Sequence, residues 1–283
     1  MKLHLALAMA AGLGLAGLAL PVAALAQDTG ANAPAPPAEH PWAVAATVLA
    51  AAQTDMNSSG ILGMRDHVDE MEQALAGAKD AILATRPATG DIYVLTDGTA
   101  DTLAGMAEAA IAARQTGSTQ NAIAVNNPYP MIALYLGSYY DEVGKPDEAV
   151  RVLDAGLAIY DMDGYIPPLG EHKPWLMLER SAAANSLKHF DETLDITAKG
   201  LAMTDLPDDV RAHFYRNRGF ALTELGRLDD SEDAYRESLK LAPGNSTAEN
   251  ELAYIAKLKA GGARQPGGLL PLAKPDPAQK PDI

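Results

Sequence analysis

The chain has 283 residues, with 37 Asp and Glu against 22 Lys and Arg, a formal charge of −15, and no Cys. A surface this acidic repels phosphate backbones and anionic lipid headgroups, so nucleic acid is not an expected partner. The missing Cys excludes disulfides, thiolate metal sites, thiol chemistry and a lipid-attachment cysteine.

Residues 1–26 read as an export signal. Lys2 supplies the charged start, Leu3 to Leu20 is apolar apart from His4, and Pro21 breaks the run before the small residues of Ala24-Leu25-Ala26. Cleavage after Ala26 removes one positive charge, Lys2, and takes −15 to −16. A retained membrane anchor is the rival reading, because the stretch approaches spanning length. With cleavage, no stable membrane insertion is expected. The product is then exported, periplasmic in a Gram-negative cell and otherwise secreted. Residues 27–41 follow as an Ala/Pro-rich flexible leader with Pro34, Pro36, Pro37 and Pro41.

Residues 42–128 form a helical lead-in. Trp42 to Thr54 is one predicted helix, and Met64 to Arg86 a second with Val68, Met71, Leu75 and Ile82 on one stripe. Thr99 to Arg114 is a third, with Leu103, Met106 and Ala110 in phase. Two extended runs, Asp91 to Leu95 and Ala122 to Val125, are candidates for a small ribbon. The Asp97-Gly98 turn between them leads into a helix instead of a return strand. The early helices are candidates for decayed copies of the pattern that follows.

From 130 onward one pattern recurs three times: an apolar helix, a short charged turn, a second apolar helix. The turns are Gly144-Lys145-Pro146-Asp147-Glu148-Ala149, Lys188-His189-Phe190-Asp191-Glu192-Thr193 and Gly226-Arg227-Leu228-Asp229-Asp230-Ser231. In the first copy Leu136, Gly137 and Tyr140 share one helix face, and Ala149, Leu153 and Gly156 share the next. Small residues there let paired helices approach, while Tyr and Leu fill the space. The third copy carries Tyr215, Gly219, Tyr235, Leu239 and Pro243. In the second, Ser181 and Ala184 replace Gly137 and Tyr140.

These residues resemble the tetratricopeptide repeat, a 34-residue helix–turn–helix unit. The copies fall at 130–163, 174–207 and 212–245. A loop at 164–173 is inserted after the first, and about four residues, Asp208 to Arg211, follow the second. The resemblance implies an all-α, tetratricopeptide-like α-solenoid of helical hairpins. Residues 246–260 read as its closing helix. Ser246 and Glu249 make a capping box, Ala248, Leu252 and Ile255 an apolar stripe, and Gly261 a stop. Residues 261–283 are a Pro-rich tail expected to be disordered.

Helical phase turns part of each first helix toward a concave groove. The candidate binding residues are Met131, Leu134 and Ser138, then Trp175, Leu178 and Asn185, then His213, Arg216 and Phe220. Asp141, Ala182 and Thr223 share those stripes. Such a groove suits a peptide or helix with apolar anchors and one acidic group. The alternative is that the apolar members pack against the lead-in or the inserted loop. Family members that grip a C-terminal carboxylate use Lys and Asn at set groove positions. Leu134 and Ser138 stand at those of the first copy, so that ligand is not expected.

No catalytic, cofactor or metal constellation is expected. Asp161, Asp163 and Glu171 lie near a turn, but Ile159 and Gly170 stand where a calcium loop needs ligands. The five His beyond the signal form no zinc-binding pair on one helix turn. The sequence therefore points to an exported, non-enzymatic scaffold or adaptor of the cell envelope that binds another protein or peptide. The alternative is an enzyme or small-ligand protein with its site in 42–128 and the repeats as support.

Overall fold

The computed structural model describes residues 40–85, 92–98, 105–107, 109–111, 115, 121–162, 170–204 and 206–264. The export signal, most of the leader, most of the inserted loop and most of the Pro-rich tail lie outside the described residues. The chain divides between Leu187 and Lys188 into two units. Apart from one strand pair, the regular structure described is helical, and the hairpin array inferred from the repeat is the fold found.

In the first unit, α1 (Pro41–Ser59) opens with a proline, whose missing N–H is no loss in a first turn. It buries Trp42, Ala45, Ala52 and Met56 and ends at Gly60. The single helix expected over Met64 to Arg86 is broken into three. A 3₁₀ stretch (Ile61–His67) leads into α2 (Val68–Ala76), and α3 (Ala78–Leu83) follows. Gly77 separates the last two, and an interior glycine weakens a helix by about 1 kcal/mol relative to alanine. The stripe survives the break: Met71, Leu75 and Ile82 are buried and Val68 packs against them.

The two extended runs do pair. Strands β1 (Ile92–Thr96) and β2 (Ala122–Asn126) are parallel, in register from Ile92 opposite Ala122 to Thr96 opposite Asn126. Parallel neighbours need a crossover, and residues 105–107 and 109–111 between them are helical. The turn after β1 starts that crossover, which is why it does not close a hairpin.

The first copy follows as α4 (Tyr129–Glu142) and α5 (Pro146–Ile159), with α6 (Lys173–Ser186) packed on both. Ile132, Leu136, Leu153 and Leu176 fill the centre. A Cβ at Gly137 would lie 2.6 Å from Leu153, so only glycine permits this helix spacing. The lead-in is fastened to the copy by polar contacts. Tyr140 donates to Glu72 at 2.5 Å, Arg151 donates to the same carboxylate at 2.5 Å, and Gln53 donates to Tyr135 at 3.3 Å.

The second unit holds α7 (Phe190–Leu201), α8 (Asp208–Glu224), α9 (Leu228–Leu241) and α10 (Ser246–Lys259). The extra residues Asp208 to Arg211 are absorbed as the start of α8, which reaches 17 residues. Gly219 repeats the role of Gly137: a Cβ there would sit 2.7 Å from the Tyr235 ring. The second copy straddles the boundary, with α6 in one unit and α7 in the other.

The closing helix forms as read, but its cap is different. Asn245, not Ser246, is the N-cap; its side chain accepts from the Ala248 amide at 3.0 Å, which leaves Ser246 as the first helical residue. Gly261, at φ 84, ends the helix, and Gly262 donates to the Lys257 carbonyl at 2.9 Å. Lys259 pins α10 to α9 through Asp229 at 2.5 Å and through Glu232.

Candidate functional site

The first helix of the first copy presents one half-buried stripe. Met131, Leu134, Ser138 and Asp141 recur at helical spacing on α4, while Ile132, Ala133, Leu136 and Gly137 between them are buried. Met131 and Leu134 lean on the hydrophobic core, which includes lead-in residues. On α6, Trp175 and Asn185 are half-buried, whereas Leu178 and Ala182 are buried.

In the second unit the expected basic end of the groove is not presented. Arg216 is 7% exposed and donates to the Ser238 hydroxyl at 3.2 Å, and burial lowers its pKa. His213 is also buried; desolvation, and then the Arg216 charge, push its imidazole down to about 3, so it is neutral. Thr223 bonds inward to the Gly219 carbonyl and shares a 2.7 Å bond with Ser231. The physical reason is enclosure, for α8 is packed by α7 on one side and α9 on the other. Of the three candidates on α8, Phe220 alone is half-buried, with its ring 6.2 Å from Phe190. Leu178, His213 and Arg216 are thus core positions and not groove contacts.

Sequence reasoning passed over Glu179. This α6 residue is 4% exposed, has no partner for Oε1, and lies near enough to Ser138 on α4 for that hydroxyl to favour its ionised form. Burial, reinforced by the Asp141 charge, raises its pKa to about 7. Burial also raises Asp141, with Glu142 adding to the effect, while Ser186 donates to it at 3.3 Å and opposes it. The adjacent Arg180 points elsewhere, donating to Asp154 on α5 at 2.7 and 3.4 Å. One signal was available: Glu179 follows Leu176-Met177-Leu178 and precedes Ser181-Ala182-Ala183, a poor setting for a solvated carboxylate.

A second polar cluster joins the inserted segment to the ribbon. Asp97, just past β1, is buried and accepts from the Tyr160 hydroxyl, the His172 ring and the His172 amide, the last at 3.0 Å. Burial alone would raise its pKa; the bonds from His172 and Tyr160 outweigh that and hold it below the ordinary range. Lys173 lies 5.5 Å from the Tyr160 ring centre. The cluster latches residues 170–173 onto the end of β1. Among the described residues, no group of three or more His, Asp or Glu is arranged to hold a metal ion. No helix among them is long and apolar enough to cross a membrane.

Residues 212–245 match the tetratricopeptide repeat family model, the stretch that forms most of α8 and all of α9. Among solved structures, the first such domain of the human RPAP3 protein, determined by NMR, is 27% identical with a TM-score of 0.40. That match covers 47% of this chain and 94% of the other. The first such domain of Spaghetti (RPAP3), bound to the HSP90 peptide SRMEEVD, is also 27% identical, with a TM-score of 0.39. It covers 48% of this chain and 97% of its own. No curated protein sequence matches this chain.

Proposed function

We propose that this tetratricopeptide-repeat chain is an exported scaffold or adaptor that binds another protein or peptide in the cell envelope. Its work is to present a fixed surface, with no bond made or broken. The observation that carries this reading is the half-exposed stripe Met131, Leu134, Ser138 and Asp141 on α4, next to the half-buried Trp175 and Asn185 on α6. Along the stripe two apolar groups are followed by two hydrogen-bonding groups, which suits an extended or helical segment of a partner. The Leu3 to Leu20 run and the Ala24-Leu25-Ala26 site support export.

The enzyme alternative, with a site in 42–128, has one polar cluster to draw on. Asp97 there fastens His172 of the inserted segment, and Tyr160 at the end of α5, to the ribbon, so a structural latch accounts for it. A pull-down from envelope extract tests the scaffold reading. The parent protein is compared with Trp175→Ala and with Asp141→Arg, each first checked for unchanged helicity. A partner held by the parent and lost by both variants is expected. Equal capture by all three would move binding off this face. Export is tested separately by N-terminal sequencing of the mature protein, which should begin at Gln27.

A further inference from the structure

We propose that the face shared by α4 and α6 is a cation site, where Asp141 and Glu179 receive the ammonium or guanidinium of a lysine or arginine from the partner polypeptide. The proposal rests on the scaffold reading above and names the chemistry of its partner. Three observations lead to it. Glu179 is buried, its Oε1 has no hydrogen-bond partner, and the groups that act on its carboxyl, Ser138 and Asp141, both stand on α4. Asp141, one turn beyond Ser138 on the half-exposed stripe, adds a second carboxylate on the same side. The nearest cation in sequence, Arg180, is committed to Asp154.

The groups facing Glu179 from the packed elements are therefore a hydroxyl and a carboxylate from α4, with the Arg180–Asp154 pair turned toward α5. Below about pH 7 a proton neutralises this buried carboxyl; above it the carboxylate has no counter-ion, which is costly and which a visiting cation would offset. A divalent metal is a poor fit, since calcium takes six to eight oxygens and this site offers two carboxyls and one hydroxyl. The second unit repeats the arrangement independently. Glu251 is 4% exposed, its Oε2 has no partner, and Glu224 is its acidic neighbour. Glu179 is the sixth residue counted from 174 and Glu251 the sixth counted from 246, so the same place in the repeat supplies both.

The test screens a display library of random dodecapeptides against the full-length protein, then titrates a selected peptide against the parent, Glu179→Gln and Asp141→Asn. Glu179→Gln keeps the shape while removing the charge, and Asp141→Asn lies at a half-exposed position, so folding is retained in at least one. Selected peptides should be rich in Lys or Arg. Each variant should weaken binding about tenfold or more, as should replacing the peptide's lysines by methionine. Binding should tighten from about pH 6 to about pH 8, because a cation prefers the ionised carboxylates. Peptides without basic residues, or basic peptides indifferent to both variants, would overturn the cation site and leave the scaffold reading standing. A library yielding no binder would overturn both. Spermine binding as tightly as the peptide, with the same dependence on Glu179, would overturn a polypeptide source for the cation.

Discussion

The first helices of the first and third copies derive from one pattern, yet they face their surroundings differently. On α4 a half-exposed stripe runs from Met131 to Asp141; on α8 the corresponding His213, Arg216 and Thr223 are buried, the last two bonded inward, and Phe220 alone is half-buried. A repeat therefore fixes which residues close the hairpin, as Gly137 and Gly219 do alike. It does not fix what covers the remaining face. That depends on the helices packed alongside, which differ from copy to copy.

Substitutions on the two stripes should break this comparison most sharply. Arg216→Glu puts a carboxylate where Ser238 loses its donor, and an uncompensated buried charge costs about 3–5 kcal/mol. At the half-exposed Asp141, a substitution to Asn should change stability by less than about 1 kcal/mol. Chemical denaturation of both variants reads the contrast, and similar losses would erase the distinction drawn here.

Next in size is the pH dependence of the buried glutamates. Glu179 has a folded pKa of about 7, raised from 4.5, so its contribution is complete below about pH 4.5 and declines as pH rises through about 7. Glu179→Gln escapes that decline. It should exceed the parent by as much as about 2–3 kcal/mol at pH 8 and match it near pH 4.5. Glu251→Gln should show the same sign in the second unit, where burial and Glu224 also raise the carboxyl to about 7. Urea titrations at the two pH values measure both. His213 works in the opposite direction: its lowered pKa gives stability that is present above about 6.5 and is lost as pH falls toward about 3.

Gly219→Val should lower stability by about 1–3 kcal/mol, because the added carbons meet the Tyr235 ring at 2.7 Å. Gly137→Val should do the same against Leu153, and thermal melts would show whether the two copies agree. The smallest effect concerns the turns. Gly144 and Gly226 adopt φ 74 and 76, while Lys188 holds the same place at φ 63 with a side chain. Lys188→Gly should raise stability by about 0.5–1 kcal/mol, and a fall in melting temperature would refute that account.

The hairpins, their turns and the closing helix were legible because helix period, small residues at crossings and glycine after a helix leave marks in sequence. The cap at Asn245 was displaced by one residue because Ser246 with Glu249 mimics a capping box. The break at Gly77 was missed because the apolar stripe continues across it. The strand pair was visible as two runs, and the crossover that makes it parallel was foreshadowed at Asp97-Gly98. Site residues were harder. Phase assigned Arg216 and His213 outward, and only packing from α7 and α9 reverses that. Glu179 was hidden because carboxylates on helices usually face water; its burial depends on α4 lying across it.

The central claim is that the stripe on α4 receives the partner. A photo-crosslinking residue at Ser138 in the exported protein, beside the same residue at Arg227 in an exposed turn, tests it most directly. The account predicts a discrete covalent adduct from position 138 that Glu179→Gln diminishes, and none from position 227. No adduct at 138, or equal adducts at both positions, would contradict it.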